Sequence, residues 1–276
     1  MAARRATCRA GVHQRRRAEA RGREPGGRRH GGRGQVSAPA FLHLSVASQL
    51  IAEHAVANGF TGVVVDMQHG EHDLGSATRI IRSVPGSLSR TLVRVPGIDA
   101  GVIGAVLDAG AGGIIAPCVE SAEQARAVVA ATKFAPVGAR SLGPQRPGLY
   151  QGPDMCASAN ASVRAYVQIE SALGVERRRE ILTVAGLDGV YIGPADLALT
   201  MGHPPRLDWE DGPVKDAIDL VVAAAREAGV EVGVFSVSGE YARRMTGSGQ
   251  ADFVGLGSDV GLVARATQLL IGSYRA

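Results

Sequence analysis

From about residue 40 onward, short apolar runs alternate along the chain with longer amphipathic segments rich in alanine. Several of the short runs are apolar on both faces, as the strands of a parallel sheet covered by helices must be. The intervening segments have helical periodicity, and crossovers of their length join parallel strands. The predicted strands are AFLHLS (40–45), TGVVVDM (61–67), TLVRV (91–95), GGIIAP (112–117), RAYVQIE (164–170), LDGVYIG (187–193), VEVGVF (230–235) and ADFVGLG (251–257).

Eight β/α units within residues 37–276 predict a single α/β domain with the architecture of a closed (β/α)8 TIM barrel. An open, doubly wound sheet remains the alternative, because the number of units does not establish closure. One connection, residues 135–163, is unusually long and rich in Gly and Pro. Because long connections are often functional, we expect it to lie over the C-terminal face of the barrel as a lid or wall of the site.

Residues 1–36 have a different composition from the rest of the chain. They contain 11 of the 28 arginines, only two acidic residues and almost no apolar ones. Such a segment cannot bury enough surface to offset the entropy of ordering, so it is predicted to be disordered. It lacks the apolar core of a secretory signal. Nucleic-acid binding through this tail is one interpretation, and an extension without a function of its own is the other.

The basic charge of the chain belongs to the tail, and the cysteine pattern suits the cytoplasm. Without the tail, 19 basic and 24 acidic residues remain, so the net charge is −5 rather than +4. Cys8, Cys118 and Cys156 lie far apart and form no CxxC pair, which suits a reducing compartment. Cys118 is interpreted as a small core residue. No apolar run reaches the roughly 18 residues that a membrane span requires.

Polar side chains stand at the ends of five predicted strands, where the βα loops of a barrel build its active site. We interpret the last of them, Asp259, as an N-cap or first-turn acid of the final helix. The strand-end residues are Asp66, His69, Glu71, His72, Arg94, Gln168, Glu170, Asp196, Ser258 and Asp259.

Glu170 and Asp196 end neighbouring strands, so their carboxylates can converge on a divalent cation such as Mg²⁺ or Mn²⁺. A hydrogen-bonded pair of acids that caps helices is the alternative. The sequence GPAD begins a helix, and the backbone N–H groups of Ala195 and Asp196 there could hold a carboxylate.

Asp66 and His69 have the spacing of an imidazole oriented by an acid, a common device for proton transfer. The alternatives are a structural histidine and, less favoured, a zinc cluster of His69, Glu71 and His72 on one short loop. An aldolase without a metal would need a lysine at a strand end for a Schiff base. The two lysines, Lys133 and Lys215, fall in helical segments, which leaves the metal route.

An ordered series of motifs resembles the HpcH/HpaI aldolases over about residues 40–273. QIE followed by GPADL is the most specific pair of motifs. The series is GFTGVVVDMQHGEHD, LVRVPG, AGAGGIIAPCVESAEQARAVVAATKFAPVGARSLGP, YVQIES, LDGVYIGPADLALTMG and ADFVGLGSDVGLVARA.

The resemblance implies a barrel of the phosphoenolpyruvate/pyruvate-domain type that cleaves a 4-hydroxy-2-oxo acid into pyruvate, or a similar 2-oxo acid, and an aldehyde. It implies a cofactor among Mg²⁺, Mn²⁺ and Co²⁺, a homotrimer or homohexamer that exchanges its last helix, and a place in aromatic compound catabolism. An acyl-CoA lyase of the malyl or citramalyl type is the alternative activity. An inactive barrel with a nucleic-acid-binding tail is a third interpretation.

The same match implies roles for individual residues. Glu170 and Asp196 bind the metal, His69 and Asp66 form the acid–base dyad, and Arg94 lies near the substrate oxygens. Gln168 lines the metal site, and the Ala195 and Asp196 amides hold the carboxylate of the 2-oxo acid. The chain reads DMQH where well-known members read DGEH, so we expect the neighbours of the dyad to influence which aldehyde is accepted.

Overall fold

The computed structural model describes residues 38–276, and the prediction made for residues 1–36 lies outside them. Eight strands alternate with helices along this part of the chain. The strands are β1 (Ala40–Leu44), β2 (Gly62–Asp66), β3 (Thr91–Arg94), β4 (Gly113–Ala116), β5 (Arg164–Ile169), β6 (Gly189–Ile192), β7 (Glu231–Ser236) and β8 (Phe253–Ser258).

The eight strands form a closed parallel barrel in chain order, with β8 paired to β1. The prediction of a closed (β/α)8 barrel is therefore confirmed, and the open sheet is excluded. Register places Asp66 opposite Arg94 on β2 and β3, and Gln168 opposite Tyr191 on β5 and β6. The carboxyl ends of all eight strands consequently meet at one face of the barrel.

Helices follow the strands and surround the barrel. Their bounds are α1 (Gln49–Ala57), α2 (Leu74–Ser83), α3 (Ser87–Arg90), α4 (Ala100–Asp108), α5 (Ala122–Thr132), α6 (Gln145–Gln151), α7 (Met155–Ser162), α8 (Ala172–Glu176), α9 (Arg178–Leu182), α10 (Pro194–Thr200), α11 (Pro213–Ala228), α12 (Gly239–Gly247) and α13 (Asp259–Arg275).

Several helices begin directly after a strand end at a capping side chain. Ser121 caps α5, Ser171 caps α8 and Ser258 caps α13, each by accepting a hydrogen bond from a backbone N–H of the first turn. Such caps satisfy N–H groups that a helix start leaves without partners. They keep the βα loops short, so residues that follow a strand stay close to the end of the barrel.

Aliphatic side chains fill the layer between the helices and the barrel, and a separate aromatic cluster fills the barrel interior. Gly233 and Gly255 make room for this second cluster, because a Cβ at either position would overlap the Phe253 ring or the Tyr191 hydroxyl. The interior cluster consists of Phe41, Val64, Leu92, Ile115, Tyr166, Tyr191 and Phe253. The barrel interior is thus a packed core, so a ligand would have to bind above it, at the ends of the strands.

The prediction for residues 135–163 is wrong. The segment contains α6 and α7 and joins α5 to the start of β5, so it lies at the N-terminal end of the strands, away from the site. Arg146 on α6 donates to the carbonyl oxygen of Ala109, just before β4, and to the hydroxyl of Ser87, just before β3. A connection that runs from a helix into the next strand must finish at this face of the barrel, whatever its length.

None of the helices among residues 38–276 combines the length and the apolar character that crossing a membrane requires.

Candidate active site

Asp66 and Arg94 form a two-point ion pair at the ends of β2 and β3. Arg94 Nε donates to Asp66 Oδ1 at 2.9 Å, and Arg94 Nη2 donates to Oδ2 at 2.5 Å. Both side chains are largely buried. Burial by itself opposes charge on either group, but the ion pair outweighs it: the pKa of Asp66 is lowered and the pKa of Arg94 is raised. Both groups are therefore held in their charged forms.

The structure places His69 beside Asp66 but does not form the predicted contact between their side chains. Asp66 Oδ1 accepts hydrogen bonds from the backbone N–H groups of Gln68 and His69, at 3.1 and 3.3 Å. No hydrogen bond between the Asp66 carboxylate and the His69 imidazole occurs in the described residues, and His69 is exposed at the mouth of the barrel. In this structure, Asp66 anchors Arg94 and the turn that carries His69.

The alternative zinc cluster on this loop is not formed. His72 is buried and its Nε2 lies 2.9 Å from the carbonyl oxygen of Leu44, to which it donates. The ring therefore fastens the loop after β2 to the end of β1. Across residues 38–276, no three His, Cys, Asp or Glu side chains are arranged to hold a metal by themselves.

Glu170 is buried at the end of β5 and is held from two sides. Its Oε1 accepts from the backbone N–H of Cys118, at 2.9 Å, and lies 3.3 Å from the Cys118 thiol. Its Oε2 accepts from Gln168 Nε2 at 2.5 Å. Burial raises the pKa of Glu170 despite these hydrogen bonds, and the nearby charge of Asp196 acts in the same direction. A cation at this position would relieve both effects.

Cys118 was interpreted as a core residue, and that interpretation is wrong. The residue is exposed and lies directly after β4 with a left-handed backbone, φ 55°. The thiol group is partly buried against Glu170, and this partial burial together with the charge of Glu170 raises the pKa of Cys118 to about 11. Its position directly after a predicted strand could have indicated a place at the active site. A thiol within an apolar run, however, does not show whether it points to the core or to the site.

Gly193 and α10 complete the site beside Glu170. A Cβ at Gly193 would lie 2.6 Å from Glu170 Oε2 and 2.7 Å from Gln168 Nε2, so a larger residue here would force one of these side chains to move. The turn leads into α10, whose first helical residue is Pro194. The first-turn N–H groups of Ala195 and Asp196 have no acceptors within the helix. Asp196 itself is exposed on the side of the open mouth.

The floor of the site is a neutral histidine–tyrosine pair. His43 Nε2 lies 2.8 Å from the Tyr191 hydroxyl, and both side chains are fully buried. Burial lowers the pKa of His43 to about 3, an effect that the charge of Arg94 reinforces and that of Asp66 opposes. Neither residue is predictable from the sequence, because a histidine inside a strand and a lone tyrosine have no motif around them.

Both lysines lie away from this face, as predicted. Lys133 is buried beside Asp188, with its Nζ 2.7 Å from Asp188 Oδ2, at the N-terminal end of the barrel. Lys215 lies on α11 and pairs with Asp219. Neither amine can form a Schiff base at the site. The charged groups that converge there are Asp66, Arg94, Glu170 and Asp196, and they suit an anionic substrate with a cation.

Comparison with known proteins places this arrangement in a family. The profile of the family "HpcH/HpaI aldolase/citrate lyase" matches residues 40–266. A hydroxypyruvate/pyruvate aldolase of Rhizorhabdus wittichii is 36% identical over 88% of this chain and 93% of its own length. A 5-keto-4-deoxy-D-glucarate aldolase of Klebsiella pneumoniae is 34% identical, over 84% of this chain and 90% of its own.

A solved structure of a HpcH/HpaI aldolase/citrate lyase family protein from Burkholderia cenocepacia has the same fold. It superposes with a TM-score of 0.77 at 31% sequence identity, covering 87% of this chain and 95% of that one. The resemblance stated from the motifs is confirmed. The chain is an aldolase, a carbon–carbon lyase, and belongs to the HpcH/HpaI aldolase/citrate lyase family.

Proposed function

We propose that the protein is a divalent-metal-dependent aldolase that reversibly cleaves a 4-hydroxy-2-oxo acid into an aldehyde and pyruvate or a closely related 2-oxo acid. The observation that carries the proposal is the Glu170 carboxylate. It is buried, clamped on both oxygens and close enough to Asp196 and Arg94 for their charges to act on its pKa. A buried acid in this setting is well placed to bind a cation.

The donor atoms fit a hard divalent ion. Glu170 and Asp196 supply carboxylate oxygens, and buried Gln168 Oε1 has no hydrogen-bond partner among the described residues. Oxygen ligands completed by water and substrate suit Mg²⁺, Mn²⁺ or Co²⁺. A cation bound there would supply positive charge that polarises the ketone of the 2-oxo acid and stabilises the negative charge that develops on its oxygen.

Arg94 provides a second, permanent positive charge at the same oxygens. Asp66 takes two of its N–H groups and leaves other guanidinium donors for the substrate. A preorganised guanidinium stabilises developing charge without reorganisation during the reaction. The first-turn N–H groups of Ala195 and Asp196 hold the substrate carboxylate in this proposal.

His69 moves the proton in the cleavage direction. It accepts the proton of the C4 hydroxyl, directly or through water, the C3–C4 bond breaks, and its electron pair passes to the enolate of the 2-oxo acid. The aldehyde leaves, and protonation at C3 completes the product. Since the Asp66 carboxylate binds Arg94 in this structure, His69 acts in this proposal without a hydrogen bond from its imidazole to Asp66.

The names of the relatives limit the range of candidate substrates, and the physiological substrate remains a proposal. Pyruvate and hydroxypyruvate are the 2-oxo acids in the names of similar aldolases, and a sugar-derived 2-oxo acid appears in another. These names support a short 2-oxo acid as the nucleophile. A role in aromatic compound catabolism remains a prediction from the motifs. No feature of the described residues favours the acyl-CoA lyase alternative.

The proposal includes a homo-oligomer, and the evidence for it is the exposed surface of α13. This helix has 17 residues, and only its first, Asp259, is buried. Its exposed apolar side chains would need a covering surface, which further copies of the chain could supply in a homotrimer or homohexamer. Within the described residues Cys118 and Cys156 are free thiols, which accords with the predicted cytoplasmic location. The exposed apolar residues of α13 are Val260, Leu262, Val263, Leu269, Leu270, Ile271 and Tyr274.

The decisive experiment is exchange of the methyl protons of pyruvate with solvent deuterium, followed by NMR with Mn²⁺ or Mg²⁺ and then with EDTA. We expect exchange that requires the metal, because enolate formation needs no aldehyde. Glu170→Ala and Asp196→Ala should abolish it, whereas Asp216→Ala, which removes an exposed acid on α11, should not. Exchange that persists in EDTA would contradict the metal assignment, and absence of exchange would exclude pyruvate as the nucleophile.

A further inference from the structure

Cys118 contacts Glu170 through both its backbone and its side chain. The N–H donates to Glu170 Oε1 at 2.9 Å, and the thiol lies 3.3 Å from the same oxygen. Cys118 makes these contacts from a left-handed backbone, and it is the one non-glycine residue with positive φ among residues 38–276. A residue with a Cβ is disfavoured in this conformation, and such strain persists where the surroundings hold it in place.

Glycine would adopt this conformation without strain, yet the position carries a thiol. The thiol makes one contact that glycine would lack, because it is the second donor on Glu170 Oε1. On the opposite side of the carboxylate, Gln168 Nε2 holds Oε2, and the missing side chain of Gly193 leaves the space that this oxygen occupies. Residues at the ends of β4, β5 and β6 thus hold the Glu170 carboxylate in place.

An independent observation at the same place indicates that the clamp serves a ligand. Gln168 is 1% exposed, and its Oε1 has no hydrogen-bond partner among the described residues, although its Nε2 is bound to Glu170. A buried amide oxygen without a partner is costly unless something binds to it. The fixed carboxylate and the free amide oxygen belong to the same cluster of donors.

We propose that Cys118 is a positioning residue, whose thiol holds Glu170 in the orientation that binds the metal. This inference rests on the proposed function, because it assigns the role of Cys118 through Glu170. The thiol itself does not bind the cation. Its effect is that Glu170 is already oriented before the cation arrives, so that less rotational freedom is lost on binding.

The test is the dissociation constant for Mn²⁺, measured by titration calorimetry on the purified full chain. Cys118→Ala keeps the backbone N–H and removes the thiol. We expect its Mn²⁺ affinity to fall about tenfold, the effect of losing one hydrogen bond to a charged group. Cys118→Ser retains a donor and should bind Mn²⁺ within about threefold of the unsubstituted protein. Cys156→Ser is the matched control, since Cys156 lies on α7 at the opposite face.

Thermal unfolding without metal separates positioning from folding. The unfolding temperature of Cys118→Ala should stay within a few degrees of the unsubstituted protein, because the residue is exposed and little packing is lost. The inference would be overturned if Cys118→Ala lost both Mn²⁺ affinity and thermal stability. It would also be overturned if the alanine variant and the unsubstituted protein bound Mn²⁺ equally well. Failure of Cys118→Ser to restore binding would overturn it as well.

Alkylation of the unsubstituted protein by iodoacetamide, read by peptide mass spectrometry, gives a measurement that needs no variant. Modification of Cys156 alone should leave the Mn²⁺ affinity unchanged. Protein alkylated at Cys118 should bind Mn²⁺ at least about tenfold more weakly, since the added group displaces Glu170. Unchanged binding after alkylation would contradict the positioning role.

The same titrations distinguish this inference from the proposed function. If the unsubstituted protein binds no Mn²⁺, both fail together. The other outcome is that the unsubstituted protein binds Mn²⁺, Glu170→Gln does not, and Cys118→Ala binds it as tightly as the unsubstituted protein. In that case the metal site stands and only the role of Cys118 is refuted.

Discussion

Arg94 holds both oxygens of the Asp66 carboxylate, with Nε 2.9 Å from Oδ1 and Nη2 2.5 Å from Oδ2. The pair joins two neighbouring strand ends, because register sets Asp66 directly opposite Arg94. A planar guanidinium bound at two points cannot rotate freely, so its remaining donors have a fixed direction. The acid that was expected to orient His69 orients the arginine instead.

Asp66→Asn is therefore expected to impair both folding and turnover. Removing one partner of a largely buried ion pair leaves a buried charge uncompensated, and we expect the free energy of unfolding to fall by about 3 kcal/mol. The rate of pyruvate proton exchange should fall about a hundredfold, because Arg94 loses its orientation. The affinity for Mn²⁺ should change little.

Chemical denaturation and the NMR exchange assay check these outcomes. Glu123→Gln is the matched control, because it breaks the exposed pair with Arg126 and should cost less than about 1 kcal/mol. An Asp66→Asn protein with unchanged exchange would show that Arg94 needs no anchor.

Gly193→Ala is expected to weaken metal binding. The added Cβ would lie 2.6 Å from Glu170 Oε2 and 2.7 Å from Gln168 Nε2, so at least one of these side chains must move. We expect about a tenfold loss of Mn²⁺ affinity by calorimetry, comparable to the loss of one hydrogen bond to a charged group. Gly97→Ala is the control, since a Cβ there meets no atom within 4 Å. Equal affinity in the two variants would exclude the close approach at Gly193.

His43 is expected to make the protein less stable in acid. Its folded pKa of about 3 lies below the ordinary value of 6.5, so between these pH values the unfolded chain binds a proton that the folded chain does not. The free energy of unfolding is unaffected by this group above pH 6.5, falls as the pH drops below that value, and is lower by roughly 5 kcal/mol once the pH reaches the folded pKa.

His43→Gln should reduce this dependence, because glutamine can still bond to Tyr191 but does not titrate. The measurement is the free energy of unfolding in urea between pH 7 and pH 4. His54→Gln, at an exposed position on α1, should keep the dependence of the unsubstituted protein. If the free energy of unfolding changed equally with pH in all three proteins, the assignment of this dependence to His43 would be wrong. Arg94 and Asp66 face the ring with opposite effects and are unchanged in each variant.

The last helix is expected to determine the oligomeric state. Leu269 and Leu270 are 71% and 72% exposed on α13, so glutamate there does not disturb the packing within one chain. The double substitution Leu269→Glu and Leu270→Glu should convert a trimer or hexamer into a smaller species, measured by light scattering after size-exclusion chromatography. Leu220→Glu, at a half-exposed position of α11, should leave the mass unchanged. An unchanged mass for the double variant would exclude α13 from the interface.

The architecture could be predicted from the sequence because its determinants are local. Apolar runs with crossovers between them specify buried parallel strands, and polar residues directly after a run must lie at one end of the barrel. That rule alone brought Asp66, Arg94, Gln168, Glu170 and Asp196 to one face. The motifs around QIE and GPADL then indicated the family.

Only the tertiary structure decided which groups touch. Asp66 and Arg94 are 28 residues apart, and Cys118 and Glu170 are 52 apart, so closure and register bring them together. Segment 135–163 was assigned to the wrong face because its length was considered without its direction, from a helix into a strand. Periodicity along a chain determines which elements form, whereas the partner of each side chain depends on distances that exist only after the barrel has closed.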